Sequence, residues 1–143
     1  MTLIRVVPSV TLAWLVYHGV ALAYGASFEA DPHAVLGKIV LLVPLLNQGV
    51  WRISIGDIIA MLTVITGFVE VLKASDFARI RILDYLLVSV MFTLSLVEFL
   101  TFHAAQTSIF FLIVLALFLD VTVGYFISLR VARRDLAIEQ IPV

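Results

Sequence analysis

Four runs of about 20 mostly apolar residues, at positions 6–24, 55–72, 82–102 and 109–129, take up more than half of this 143-residue chain. At a rise of about 1.5 Å per residue, 20 residues in an α-helix cross the hydrocarbon core of a bilayer. Only helices and closed barrels satisfy their own backbone there, and runs of this length suit helices. The pattern therefore predicts an all-α membrane protein, a four-transmembrane-helix antiparallel bundle forming one membrane domain over 1–143. Composition agrees, with 63% hydrophobic and 13% charged residues. A net charge of -1 with scattered basic residues argues against a nucleic-acid partner. The chain has no cysteine, which excludes disulfides, thiolate metal sites and thiol nucleophiles.

The first run follows Arg5 and ends in Ala21-Leu22-Ala23, which resembles a signal-peptide cleavage pattern. It is longer than a signal core and carries Trp14, Tyr17 and His18, so it is expected to remain as the first span. With the N-terminus in the cytoplasm, Arg5, Lys73, Arg79, Arg81, Arg130, Arg133 and Arg134 fall inside and only Lys38 and Arg52 outside. That imbalance places both termini on the cytoplasmic side of a bacterial inner membrane and makes 130–143 a basic cytoplasmic tail. The inner loop 74–81 and the outer turn 103–108 are short, so spans two, three and four are expected to be antiparallel neighbours. The intervening segment 25–54 starts polar, turns apolar at 39–46 with Pro44 inside, and breaks at Asn47-Gln48-Gly49. Alternation from Val50, with Trp51 and Ile53 opposite Arg52 and Ser54, has the period of a strand. A small extracytoplasmic hairpin of 39–43 and 50–55 is expected, with Trp51 at headgroup level. An interfacial or re-entrant helix is the alternative, because an open hairpin cannot lie unprotected in hydrocarbon.

Acids within the spans are the informative residues. A charge near the bilayer centre costs about 2.5–3.5 kcal/mol even on lenient scales, so such groups face the bundle interior or water. Helical steps of three and four join Gly56, Ala60, Thr63, Gly67, Glu70 and Ala74 on span two. They likewise join Asp84, Val88, Met91, Ser95, Glu98 and Phe102 on span three, and Ala116, Asp120, Gly124 and Ser128 on span four. Small residues on these stripes allow close packing of neighbouring helices. Depths from helix rise put Asp120 roughly 16 Å below the outer end of its span and Glu98 roughly 6 Å below the surface. Asp57 and His18 approach the same outer level as Glu98. The candidate ion, proton or partner site is therefore Asp120, Glu98, Asp57 and His18, with an inner polar group of Glu70, Asp84 and Lys73. Asp57, Asp84 and Glu70 also suit simpler roles as helix caps or partners of nearby basic residues.

His18 and His103 approach one side and invite comparison with a haem-ligating pair, but His103 is expected in a turn, and no cofactor or metal is assigned. His33 reads as a solvated loop residue. No His-Glu metal motif, Gly-x-Ser-x-Gly elbow or phosphate-binding glycine loop occurs, so no catalytic site is expected. Gly49, Trp51, Gly56-Asp57, Glu70-Val71-Leu72-Lys73, Asp84, Val97-Glu98-Phe99 and Ala132-Arg133-Arg134-Asp135 resemble a group of small uncharacterised four-helix bacterial inner-membrane proteins. The likeness covers roughly 49–135, and this chain has Leu46-Asn47-Gln48-Gly49 where such proteins favour Leu-Pro-Ser-Gly. The resemblance implies a membrane location and no activity. The expected function is non-enzymatic association, as an accessory or scaffold subunit or a homo-oligomer. A proton- or cation-coupled conduit using the intramembrane carboxylates is the alternative, and a membrane-embedded redox protein or enzyme comes third.

Overall fold

The computed structural model of the protein describes residues 8–75 and 82–139, with side chains described over 8–73 and 86–126. Arg5, Arg79 and Arg81 lie outside the described residues, as do the side chains of Asp84, Arg130, Arg133 and Arg134. Six α-helices and one hairpin are found among the described residues: α1 (Thr11–Tyr24), α2 (Ala26–Ala30), α3 (Pro32–Leu36), β1 (Ile39–Pro44), β2 (Val50–Ser54), α4 (Ile55–Ser75), α5 (Ile82–Thr101) and α6 (Ser108–Glu139). A single 3₁₀ turn, His103–Ala105, joins α5 to α6.

At the starts of α3, α4 and α6, side chains replace missing backbone partners. Ser54 and Asp57 form a reciprocal cap at the head of α4. The Ser54 hydroxyl oxygen accepts the Asp57 N–H at 3.2 Å, while Asp57 Oδ2 accepts the Ser54 N–H at 2.8 Å and its hydroxyl at 2.7 Å. Thr107 Oγ1 accepts the Phe110 N–H at 3.1 Å and so caps α6. Asp31 accepts the Ala34 N–H at 2.9 Å with Pro32 in the first helical position, which explains α3. Gly25, at φ 49°, ends α1 in the left-handed region that disfavours other residues.

Two stretches, Ile55–Lys73 and Ser108–Phe126, are long and apolar enough to cross a membrane, each of 19 residues with mean hydropathy 2.0 and 2.4. Only 22% of either stretch is buried, whereas a core helix of a soluble domain is mostly buried. Thr11–Tyr24 and Leu86–Thr101 are shorter apolar helices. The first begins at Thr11 and not at position 6; it runs for 14 residues, about 21 Å of rise. At the other end α6 continues to Glu139, ten residues past the expected limit of 129, because no glycine or proline interrupts a stretch of good helix formers.

Packing corrects the expected order of neighbours. Among the described residues, the extensive contacts of α4 and of α5 are with α6 and not with each other, and α1 leans on α4 and α6. The last helix is thus the central one. Its buried face, Phe110, Ile113 and Leu117, meets Tyr17 and Ala13 of α1, Ile59 of α4 and Phe28 of α2 in one apolar core. Tyr17 sits edge-on to Phe28 at 5.6 Å and tilted against Phe110 at 4.9 Å.

The segment between α1 and α4 contains the hairpin and, unexpectedly, two short helices. Strands β1 and β2 pair antiparallel, Val43 opposite Trp51 and Leu41 opposite Ile53, with an irregularity at Val40. Asn47 Oδ1 accepts the Gly49 N–H at 3.0 Å and Gln48 takes φ 62°, which closes the turn. Leu41, Leu42, Leu46, Val50 and Trp51 are all exposed, while Ile53 is buried at the foot of the hairpin.

Candidate functional site

The described acids of the apolar runs sort into two clusters and one cap. In the first cluster, α1 presents Trp14 and His18 one turn apart to Glu98 near the end of α5. His18 Nε2 lies 2.5 Å from Glu98 Oε1, and Trp14 Nε1 donates to Glu98 Oε2 at 3.3 Å. The other imidazole nitrogen, Nδ1, lies 2.9 Å from the Trp14 carbonyl oxygen. A carbonyl oxygen only accepts, so Nδ1 carries a hydrogen. The Nε2–Oε1 contact then needs a second proton, on the ring or on the carboxyl. Either placement leaves the His18–Glu98 pair neutral overall, which lowers the cost of keeping it out of water. The Trp14 and His18 rings lie 3.9 Å apart at 33°, holding the imidazole from its other side.

Tyr17 braces this arrangement. Its hydroxyl donates to the Ala104 carbonyl at 2.6 Å and lies 2.9 Å from Thr107 Oγ1. Having given its proton to Ala104, the phenol oxygen accepts from Thr107, whose own oxygen still caps α6. One tyrosine thus ties α1 to the α5–α6 connection and to the α6 start.

The second cluster joins α4, α6 and the entry to α1. Glu70 Oε2 accepts from Lys73 Nζ at 3.0 Å and from the backbone N–H of Ser9 at 2.8 Å. Asp120 shares a groove with Glu70, between α4 and α6. The groove holds about 250 Å³ and is lined by Thr63, Gly67, Phe68, Leu115, Ala116 and Leu119 besides the two acids. Asp120 Oδ2 is buried and has no hydrogen-bond partner among the described residues. A Cβ built on Gly67 would meet nothing within 4 Å, so the groove stays open where the small-residue stripe passes it.

This geometry divides the expected site. His18 and Glu98 do meet, but Asp120 joins the inner acid Glu70 and not Glu98. Phe110 lies beside His18, with ring centroids 6.0 Å apart, and Asp120 follows it by ten residues, about 15 Å along α6. Ile113, Val114 and Leu117, all buried, fill the interval. Asp57 also leaves the expected outer group. It is exposed, and its carboxylate is spent on Ser54 at the α4 cap, as an acid in a first helical turn should be. Asp84 lies in α5, with its side chain outside the described ones.

Both ring nitrogens of His18 are engaged, and His103 is exposed at the 3₁₀ turn, so the two do not form a haem-ligating pair as they stand. Among the described residues no three His, Asp or Glu side chains gather as metal ligands. Trp14 and Tyr17 were absent from the sequence-based site. Their signal was the i, i+4 spacing of Trp14 and His18, together with the need of an indole N–H or phenol for a partner when buried. The chain matches no family model, no curated protein and no solved structure.

Proposed function

We propose that the protein is a four-span helical protein of the bacterial inner membrane, with both termini cytoplasmic, that works without catalysis by associating with other membrane proteins as an accessory or scaffold subunit. One observation carries this reading: three of the four described acids in the apolar runs are satisfied by their own chain, while the exposed faces of those helices are dominated by large apolar side chains. Glu98 is held by His18 and Trp14, Glu70 by Lys73 and Ser9, and Asp57 by Ser54. Val64, Phe68, Leu94, Leu119 and Phe126 are each more than half exposed, a surface that only lipid or a partner helix would cover. A photo-reactive amino acid at Phe68 or Leu119 should therefore yield adducts heavier than the monomer in native membranes. Lipid adducts alone at both positions would overturn the reading.

The conduit remains a second reading because Ser95, one turn from Glu98, is fully buried and its hydroxyl has no partner among the described residues. The apolar interval of Ile113, Val114 and Leu117 works against it, since a proton relay needs polar groups or water within hydrogen-bond reach. Flux in proteoliposomes that the double variant Glu98→Gln, Asp120→Asn abolishes would restore it.

A further inference from the structure

We propose that the β1–β2 hairpin is a lipid anchor, lying at the boundary between headgroups and acyl chains of the leaflet in which α4 starts, with Lys38 and Arg52 against lipid phosphates. The anchor goes beyond association and rests on α4 being a membrane span.

Both faces of the hairpin are apolar. Strand register puts Leu41 and Val43 beside Ile53 and Trp51 on one face, and Leu42 and Pro44 beside Arg52 and Val50 on the other. Leu41, Trp51, Leu42 and Val50 are each about half exposed, and Ile53, at the foot, is the one buried residue of either strand. An antiparallel sheet that serves a folded core has one apolar and one polar face. A protein seated on one face would leave the other in water, whereas acyl chains wet both.

Position selects the leaflet. Strand β2 ends at Ser54 and α4 begins at Ile55, so the hairpin starts at the head of a membrane-length helix with no linker between. The six residues of β1 reach about 20 Å, which keeps the hairpin beside that surface. Its backbone sets the depth. Two strands leave both outer edges unpaired in the sheet, and hydrocarbon would offer those N–H and C=O groups nothing. The boundary supplies water and ester oxygens to the edges, and Pro44 has no N–H to satisfy. Asn47 and Gln48, exposed in the turn, hold the tip at the watery side.

Charge agrees with this placement. Between residues 38 and 56 the only charged side chains are Lys38 and Arg52, both basic and exposed. Basic groups beside an apolar element that lies in the interface attract anionic lipid. The Lys38 ammonium sits 4.3 Å from the centre of the Tyr24 ring, and tyrosine and tryptophan, here Tyr24 and Trp51, are enriched where acyl chains meet headgroups.

The test uses the full-length protein in phosphatidylglycerol nanodiscs, with single spin-labelled cysteines that the cysteine-free chain accepts. Oxygen concentrates among acyl chains and a polar nickel chelate stays in water, so the ratio of their collisions with a label reads its depth. Labels at Leu41→Cys and Leu42→Cys, on opposite faces, should each show an oxygen-to-nickel ratio about threefold above that of Glu29→Cys on exposed α2. The added pair Lys38→Gln, Arg52→Gln should lower the ratio at both hairpin labels, and an unchanged ratio overturns the pairing with phosphate. Water-like ratios at both labels overturn the anchor, as does a lipid-like ratio on one face only. Shielding from both reagents overturns it too, because protein, a second copy included, would then cover the hairpin. Circular dichroism checks each variant. For one that fails to fold, quenching of the natural protein by brominated lipid replaces it: a loss of quenching in Trp51→Phe supports the anchor, and undiminished quenching overturns it. A label at Val64→Cys, on the exposed face of α4, separates the two readings. Lipid at Val64 with water at the hairpin sinks the anchor alone, and water at both sinks the membrane reading with it.

Discussion

At the scale of single residues, the cost of burying a carboxylate explains what each acid does. Glu98 accepts from the Trp14 indole and shares one proton with His18, and its side chain is 22% exposed against 28% for His18. Removing the acceptor should therefore matter more than removing the charge. Glu98→Ala leaves both the indole and the imidazole unsatisfied and is expected to lower stability by about 2 kcal/mol, discounted for the partial exposure of the pair. Glu98→Gln keeps one oxygen for one donor and should lose about half as much. Unfolding in mixed micelles by added sodium dodecyl sulfate measures both, and equal losses would show that the proton shared with His18, not the number of acceptors, governs the site. The sequence made Glu98 and His18 visible because a charged or titratable residue in an apolar run demands an explanation. It left Trp14 and Tyr17 in the background because an aromatic in such a run does not, until a neighbouring helix supplies a carboxylate or a carbonyl for it.

At the scale of elements, the caps and the small-residue stripe were written in the sequence more plainly than the contacts they serve. Ser54 and Asp57 stand at the spacing of a capping box, and the structure shows both halves of it. Asp57→Ala should cost about 1 kcal/mol in the same micelle assay, with no change in partner or lipid contacts deeper in the bundle, and a much larger loss would mean that Asp57 does more than cap α4. The stripe is less uniform than its period implies. A Cβ on Gly56 would stand 3.3 Å from the Leu36 carbonyl oxygen and 3.3 Å from Ile109 Cγ1, whereas one on Gly67 would meet nothing. Alanine is worth up to about 1 kcal/mol over glycine inside a helix, so Gly67→Ala should be neutral or stabilising. Gly56→Ala should be the less stable of the two variants, because a backbone oxygen cannot swing away. If the two variants unfold alike, the close approach of α4 to α3 and α6 is not as drawn. Helical period could locate this face but not where along it the neighbour ends and the groove begins. For the same reason it could not separate Asp120 from Glu98, since a shared inward direction says nothing about which helix lies opposite at each level.

For the whole molecule, the four apolar runs, the outer turn and the hairpin were legible from hydropathy and turn residues, the inner loop 74–81 lies largely outside the described residues, and the arrangement around a central last helix was not legible. Short loops suggest that consecutive helices touch, yet α6 occupies the place between α4 and α5 because its buried face of Phe110, Ile113 and Leu117 accepts neighbours from several sides. The two short helices in 25–38 escaped notice because their five residues each lack a period; only the Asp31-Pro32 start announced one of them. The number of crossings can be tested directly, since a chain without cysteine accepts single thiols as reporters. Leu46 lies at the hairpin tip and is fully exposed, and Ser75 ends α4 after 21 residues, about 31 Å of rise, enough to cross the hydrocarbon core. If α4 crosses once, with the basic residues inside, Leu46→Cys should react with a membrane-impermeant maleimide in intact spheroplasts and Ser75→Cys only after lysis. A thiol at Gln106, in the turn between α5 and α6, should then behave like Leu46→Cys, because a helix returning across the bilayer brings that turn back to the hairpin side. Protection of Gln106→Cys together with reaction of Leu46→Cys would leave α5 short of crossing and reduce the four spans to fewer. In that event the Glu98–His18 pair would belong to a buried soluble face and not to the outer leaflet, although its hydrogen bonds would be unchanged.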